Sequence, residues 1–178
     1  MPIVPKESHR EARARRVVTG FDESARSTFV SDELTEHRFV GDAYTVNMMW
    51  QLDSVPTTVH TENAVREISY DPPANGFTVV TTTFPPDRAI DYDAAYETSL
   101  RDWGANHAST VDDAPGMHVT NSIDIITVIS GEIWAILETG EKLLKQGDTL
   151  VQRGTKHAWQ NRSDSNCVIS AVIVNASR

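Results

Sequence analysis

The sequence predicts an antiparallel all-β fold, a sandwich or closed barrel, and three observations carry that prediction. Short runs of β-branched, aliphatic and aromatic residues recur along the chain, separated by segments with turn chemistry. Only one stretch has apolar residues at helical spacing. In the second half the runs follow one another through tight Gly-containing turns, without the crossover helices that a parallel sheet requires.

Taken in order, RRVVTG and STFVS flank the polar FDESAR, a pattern of two strands around a turn. AYTVNMMWQL is rich in aromatic and aliphatic residues, and FTVVTTTF is dense in β-branched ones and halts at Pro85-Pro86. Proline cannot donate to a ladder, so the strand should stop there. Residues 91–103, DYDAAYETSLRDW, place Tyr92, Ala95, Tyr96, Ser99 and Leu100 on one helical face, with Gly104 as the stop. This helix should cover one side of the sheet. Beyond it, ETGE forms a hairpin turn between EIWAIL and KLL, and QGD forms another before TLVQ. The last strand, VISAVIV, is nearly all apolar and is expected to be buried on both faces.

Length and composition suit one domain with an N-terminal elaboration. The chain has 178 residues, 39% of them hydrophobic and 23% charged, which is enough for one well-buried core. Apolar runs are too short for a membrane span, and the N-terminus lacks the apolar stretch of a secretory signal, so a cytoplasmic protein is expected. The net charge is -9, while the first sixteen residues alone carry five basic groups against Glu7 and Glu11. An acidic body repels phosphate backbones, so nucleic acid is not an expected partner. Cys167 is the only cysteine, which rules out an intrachain disulfide and a Cys-rich metal site and suits a small buried residue.

Two motifs carry a family resemblance. Gly116, His118, Thr120, Asp124 and Gly131 form the first, and Gly147, Asp148, Gly154, His157 and Asn161, within GDTLVQRGTKHAWQN, form the second. In these positions the chain resembles the cupin superfamily, in particular single-domain monocupins of mostly unassigned activity. The resemblance implies an antiparallel double-stranded β-helix, or jelly-roll barrel, over residues 105–178. Before it come a basic arm over residues 1–16 and a strand extension with the helix over residues 17–104.

In metal-dependent cupins the matching positions supply three histidines and a glutamate, which carry over to His118, Thr120, Asp124 and His157. A threonine hydroxyl is a poor ligand, and aspartate is one methylene shorter than glutamate. The remaining set of His118, Asp124 and His157 has the composition of a facial triad, and the resemblance implies one divalent ion such as Fe, Zn, Ni or Mn. Without metal, the same three groups form an acid-base cluster suited to a dehydratase or isomerase. Thr120, facing as His118 does, offers one hydrogen bond to a substrate. Trp159 shares the strand face of His157 and can wall the cavity, as can Trp134, while Arg153 could attract a carboxylate at the rim.

The remaining histidines, His9, His37, His60 and His107, have no motif behind them. Exposure is the default for them, although His107 lies close enough to the first motif to approach the barrel mouth. The function expected is therefore a small-molecule enzyme with its site in the barrel cavity, either a metal-dependent oxygenase or Lewis-acid type or a metal-free dehydratase or isomerase. The alternative is a non-catalytic binding barrel that has lost metal chemistry. A homodimer is expected, because apolar strands such as VISAVIV and IDIITVI need covering.

Overall fold

The computed structural model describes residues 8–65, 67–105 and 115–178. A short 3₁₀ turn, His9–Glu11, leads into β1 (Arg15–Phe21) and β2 (Ser27–Leu34), which form a two-stranded antiparallel sheet of their own. The polar connection closes on Asp22, whose carboxylate accepts from the amides of Ser24 and Arg26 at 2.9 and 3.0 Å, an Asx turn of the kind FDESAR suggests. This hairpin leaves large apolar side chains in the open: Val17, Phe21, Phe29 and Leu34 are 45%, 55%, 73% and 49% exposed.

Two sheets make the barrel. The larger has the order β3-β4-β5-β11-β6-β9, built from β3 (Arg38–Val40), β4 (Thr45–Leu52), β5 (Phe77–Phe84), β6 (Ser122–Ser130), β9 (Thr149–Gln152) and β11 (Cys167–Asn175). The smaller has the order β10-β7-β8, from β7 (Glu132–Leu137), β8 (Gly140–Lys145) and β10 (His157–Gln160). Every strand pair in the sheets is antiparallel. Val46, Met48, Val80, Ile126, Val128, Ile133, Ile169 and Ala171 form the core between the sheets. On the strands these positions alternate with more exposed ones, as the two-residue period of a pleated strand dictates. The first half of the chain thus contributes three strands to the sheet that carries the first motif.

Helix α1 (Tyr92–Asp102) occupies the stretch with helical spacing, and Asp91 caps it by accepting from the Ala94 amide at 3.5 Å. Its buried face carries Ala95, Tyr96 and Ser99. Ser99 Oγ accepts from the Ala43 amide at 3.0 Å, and Tyr96 meets Tyr44 edge-on with ring centroids 5.8 Å apart. Close to the helix, β5 stops at Phe84, whose ring packs on Tyr44, before Pro85-Pro86. Asn161 locks this corner: its Nδ2 donates to the carbonyls of Phe84 and Ser165 at 3.0 and 2.8 Å, and its amide donates to Asp87 at 3.0 Å. The motif asparagine is therefore a structural pin.

Two expectations are corrected here. Strand β11 lies between β5 and β6, yet its residues alternate between buried and part-exposed, and Val174 is 38% exposed. Only one face of β11 meets the core; the other is the outer surface of the sheet. His9 is buried rather than exposed, with its Nε2 3.1 Å from the Gly41 carbonyl. A short 3₁₀ turn folds it under the neighbouring loop, which the sequence around it gave no reason to expect. His37 is part-buried and His60 exposed, while His107 lies outside the described residues. Cys167 is fully buried, and burial pushes its thiol up to about 12. Among the described residues no helix is long and apolar enough to cross a membrane.

Candidate functional site

The two motif histidines come together by backbone pairing. His118 and His157 form an antiparallel bridge, each amide donating to the other's carbonyl at 2.9 Å. Cross-strand partners place side chains on the same face, and the two imidazoles lie with centroids 4.3 Å apart. Glycines permit the approach. Gly154 has φ +61°, and a Cβ there would sit 2.7 Å from the Thr120 carbonyl oxygen, so this turn before His157 admits no side chain. Gly116, with φ +75°, would likewise drive a Cβ to 2.6 Å from the Tyr96 ring.

Each ring is held by a carbonyl near it in sequence. His118 Nδ1 lies 2.7 Å from the Gly116 carbonyl, and His157 Nδ1 lies 2.9 Å from that of Thr155. A carbonyl only accepts, so both Nδ1 atoms carry the proton, and in a neutral ring Nε2 is left with a lone pair. Each ring therefore keeps Nε2 as its acceptor. Desolvation lowers both imidazoles below the ordinary 6.5. For His157, desolvation with the added repulsion of His118 brings the value down to about 3. Both rings are therefore neutral at neutral pH.

The pair opens onto a cavity of about 100 Å³ between the two sheets. Thr120, Ser122 and Asp124 line it from the approach to β6 and from β6 itself, at the alternate positions that point to one face. The Thr120 hydroxyl is buried without a hydrogen-bond partner, and the Ser122 hydroxyl and Asp124 Oδ1, though near each other, make no well-formed hydrogen bond. Desolvation raises the Asp124 carboxyl against a smaller opposing effect of the nearby Ser122 hydroxyl, so it holds a proton more readily than an ordinary aspartate. Trp159 is a cavity wall, edge-on to His157 with centroids 5.8 Å apart. It is held by Tyr92 of α1, whose hydroxyl donates to the Trp159 carbonyl at 2.7 Å.

Trp134 and Arg153 are not among the lining residues. On β7 the side chains of Ile133 and Ala135 are buried, so alternation turns Trp134 the other way, and there the Arg162 guanidinium lies 4.6 Å from its ring centroid. Arg153 is exposed just after Gln152, whose buried side chain binds Thr155 across the turn.

The three residues of the expected metal set are only partly drawn together. Among the described residues, no three His, Cys, Asp or Glu side chains come together as a metal ion requires. His118 and His157 supply two nitrogen donors, while Thr120 puts a neutral hydroxyl where a third strong donor would stand and the short Asp124 side chain does not join the cluster. What the arrangement can do directly is accept and return protons.

Besides Ile126 of β6 and Ile169, Ala171 and Ile173 of β11, the remaining walls come from the first hundred or so residues. Tyr44, Phe84, Tyr96 and Trp103 line the cavity, and Tyr70 with Asp71 closes it from the loop between β4 and β5. Tyr70 packs edge-on against Trp103 and His118, with centroids 5.2 and 6.3 Å away, and burial raises its phenol well above the ordinary value. Motif reading could not reach these residues because they lie outside both motifs. Tyr44 and Tyr96 carried the ordinary signal of a buried strand or helix face, and Tyr70 carried none.

No family model matches the chain. It is 30% identical over 160 residues to a cupin-domain-containing oxidoreductase of Neurospora crassa, covering 84% of this chain and 66% of that protein. A phomopsin biosynthesis cluster protein of Diaporthe leptostromiformis is 49% identical over 65 residues, covering 34% of each chain. The match thus spans about a third of that relative and just under two thirds of the oxidoreductase. Among solved structures, a Cupin 2 conserved barrel domain protein from Salinispora arenicola superposes with a TM-score of 0.44 at 12% identity, covering 79% of this chain and 82% of that one.

Proposed function

Because this chain is a protein of the cupin fold, we propose that it is a small-molecule enzyme whose barrel cavity performs proton-transfer chemistry of the dehydratase or isomerase type. The observation that carries this reading is the pair of anchored Nδ1–H imidazoles, which leaves two Nε2 lone pairs in an aromatic-walled chamber. The naming of relatives as cupin-domain-containing oxidoreductases supports small-molecule chemistry in this fold.

The two rings are assigned different work. A general base needs a pKa near the working pH, and His157, brought down to about 3, is the poorer base. The repulsion between the two rings is mutual, so a proton taken up by one is disfavoured on the other, and only one of them acts as base at a time. We therefore assign His118 as the base that removes a proton from a carbon next to a carbonyl, and His157 as the acceptor that orients a substrate hydroxyl. Asp124, with its raised carboxyl, is the group that returns a proton: to a departing hydroxyl in dehydration, or to another carbon in isomerisation. In either case one proton leaves the substrate and one is delivered, so no redox partner is needed.

The test is solvent exchange. The protein is incubated in D₂O with cyclohexanone, a single-ring ketone with exchangeable C–H bonds, and deuterium incorporation is followed by NMR. The expected result is exchange above the buffer rate that His118→Gln abolishes and Trp134→Phe retains. Binding of the ketone without any exchange above background would overturn the catalytic reading in favour of a binding barrel.

A further inference from the structure

The charge of the chamber indicates what enters it. Among its described lining residues there is no lysine or arginine, while Asp71 and Asp124 are both present. An anion moved into such a chamber loses its water and gains no cation in return, which is costly in a low-dielectric site. A cation fits the aromatic walls and the carboxylates better, but it fails at another place. The indole Nε1–H of Trp103 is buried without a partner, and an indole N–H can only donate. An ammonium or amidinium has no acceptor to offer it.

The other unpartnered polar atoms are of mixed kind. The Tyr70, Thr120 and Ser122 hydroxyls can donate or accept, and Asp124 Oδ1 can accept. Together they suit a molecule that carries both an acceptor and a donor without a net charge. The volume of about 100 Å³ lies well below the roughly 300 Å³ at which drug-sized sites begin, so the body of the molecule is a single ring or its equivalent. Resting on the reading of this cavity as the reaction chamber, we infer that the substrate is an uncharged, single-ring compound bearing a carbonyl and a hydroxyl or amide-like donor, and that carboxylates and phosphates are turned away.

Three isosteric probes separate charge from shape: benzamide, benzoate and benzamidinium. Each is titrated into the full chain while the Trp103 indole N–H and the His157 ring signals are followed by NMR, with Trp103→Phe assigning the indole peak. Benzamide is expected to shift both signals and to bind at least about tenfold more tightly than either charged probe, as a site with buried groups awaiting hydrogen bonds discriminates. Trp103→Phe should weaken benzamide severalfold and leave benzamidinium unchanged. Benzoate or benzamidinium binding as tightly as benzamide overturns the inference and leaves the chamber reading intact. If none of the three moves a cavity signal, the chamber reading falls with it.

Discussion

Acid should destabilise this protein through His157, and the size of the effect follows from its surroundings. In the unfolded chain the imidazole titrates near 6.5; folded, it is buried beside His118 and comes down to about 3. Because the folded value is depressed, the unfolded chain binds the proton more readily. The stability that depends on neutral His157 is therefore complete above pH 6.5 and is lost as the pH falls toward 3. The slope is about 1.4 kcal/mol per pH unit for one proton, so roughly 2 kcal/mol is lost between pH 6.5 and 5. At this chain length that corresponds to a fall in Tm of about 4–8 °C. His118 and His9 are lowered in the same sense by desolvation and add to the acid sensitivity. The His157→Asn variant isolates one contribution, since its amide can still donate to the Thr155 carbonyl. Urea unfolding followed by tryptophan fluorescence at pH 7 and pH 5 gives the four free energies. The wild type should lose about 2 kcal/mol more than the variant over this interval, and working above pH 5 keeps most carboxylates out of the comparison. Equal losses in both proteins would refute the claim that His157 is buried as a neutral ring.

Three further outcomes are expected. Gly154→Ala places a methyl 2.7 Å from the Thr120 carbonyl at a φ of +61° and should cost about 1–3 kcal/mol in thermal or urea unfolding; an unchanged Tm would mean the turn is not as tight as described. Protein purified without a His tag should contain well under one equivalent of Fe, Zn, Ni or Mn by plasma mass spectrometry, because no three acidic, histidine or cysteine side chains converge among the described residues; stoichiometric metal that vanishes in His157→Ala would contradict this. The exposed apolar face of the β1–β2 hairpin, a two-stranded sheet of a kind that is marginal in water, leads us to propose that a second copy of the chain covers it. Light scattering should give twice the chain mass, and Phe29→Ser should shift the equilibrium toward monomer, whereas a wild-type monomer at micromolar concentration would count against it.

Most of the architecture was legible because strand alternation and turn chemistry are local signals. β5 ends where Pro85-Pro86 removes the donors, and the helix starts at the Asp91 cap. Gly154 marks a turn that only glycine can make. The pairing of His118 with His157 was legible through motif spacing, and Trp159 through its alternation with His157. What stayed hidden depends on contacts between segments far apart in the chain. That β11 presents an outer face follows from its position between β5 and β6, which a uniformly apolar run does not disclose. Trp134 and Trp159 are both strand tryptophans, but their opposite directions come from the registers of two different strands. Tyr70 reaches the cavity from a loop with no periodic pattern at all.

The proposed chemistry needs two neutral imidazoles with Nε2 free to act in the cavity, and ¹⁵N NMR of the histidine side chains at pH 7 tests this directly. Long-range proton–nitrogen correlations, assigned with His118→Gln and His157→Asn, report which ring nitrogen carries hydrogen. Both His118 and His157 are expected to be Nδ1–H tautomers with an unprotonated Nε2, and His157 to stay so down to pH 5. An Nε2–H tautomer or an imidazolium at either position near neutral pH would contradict it.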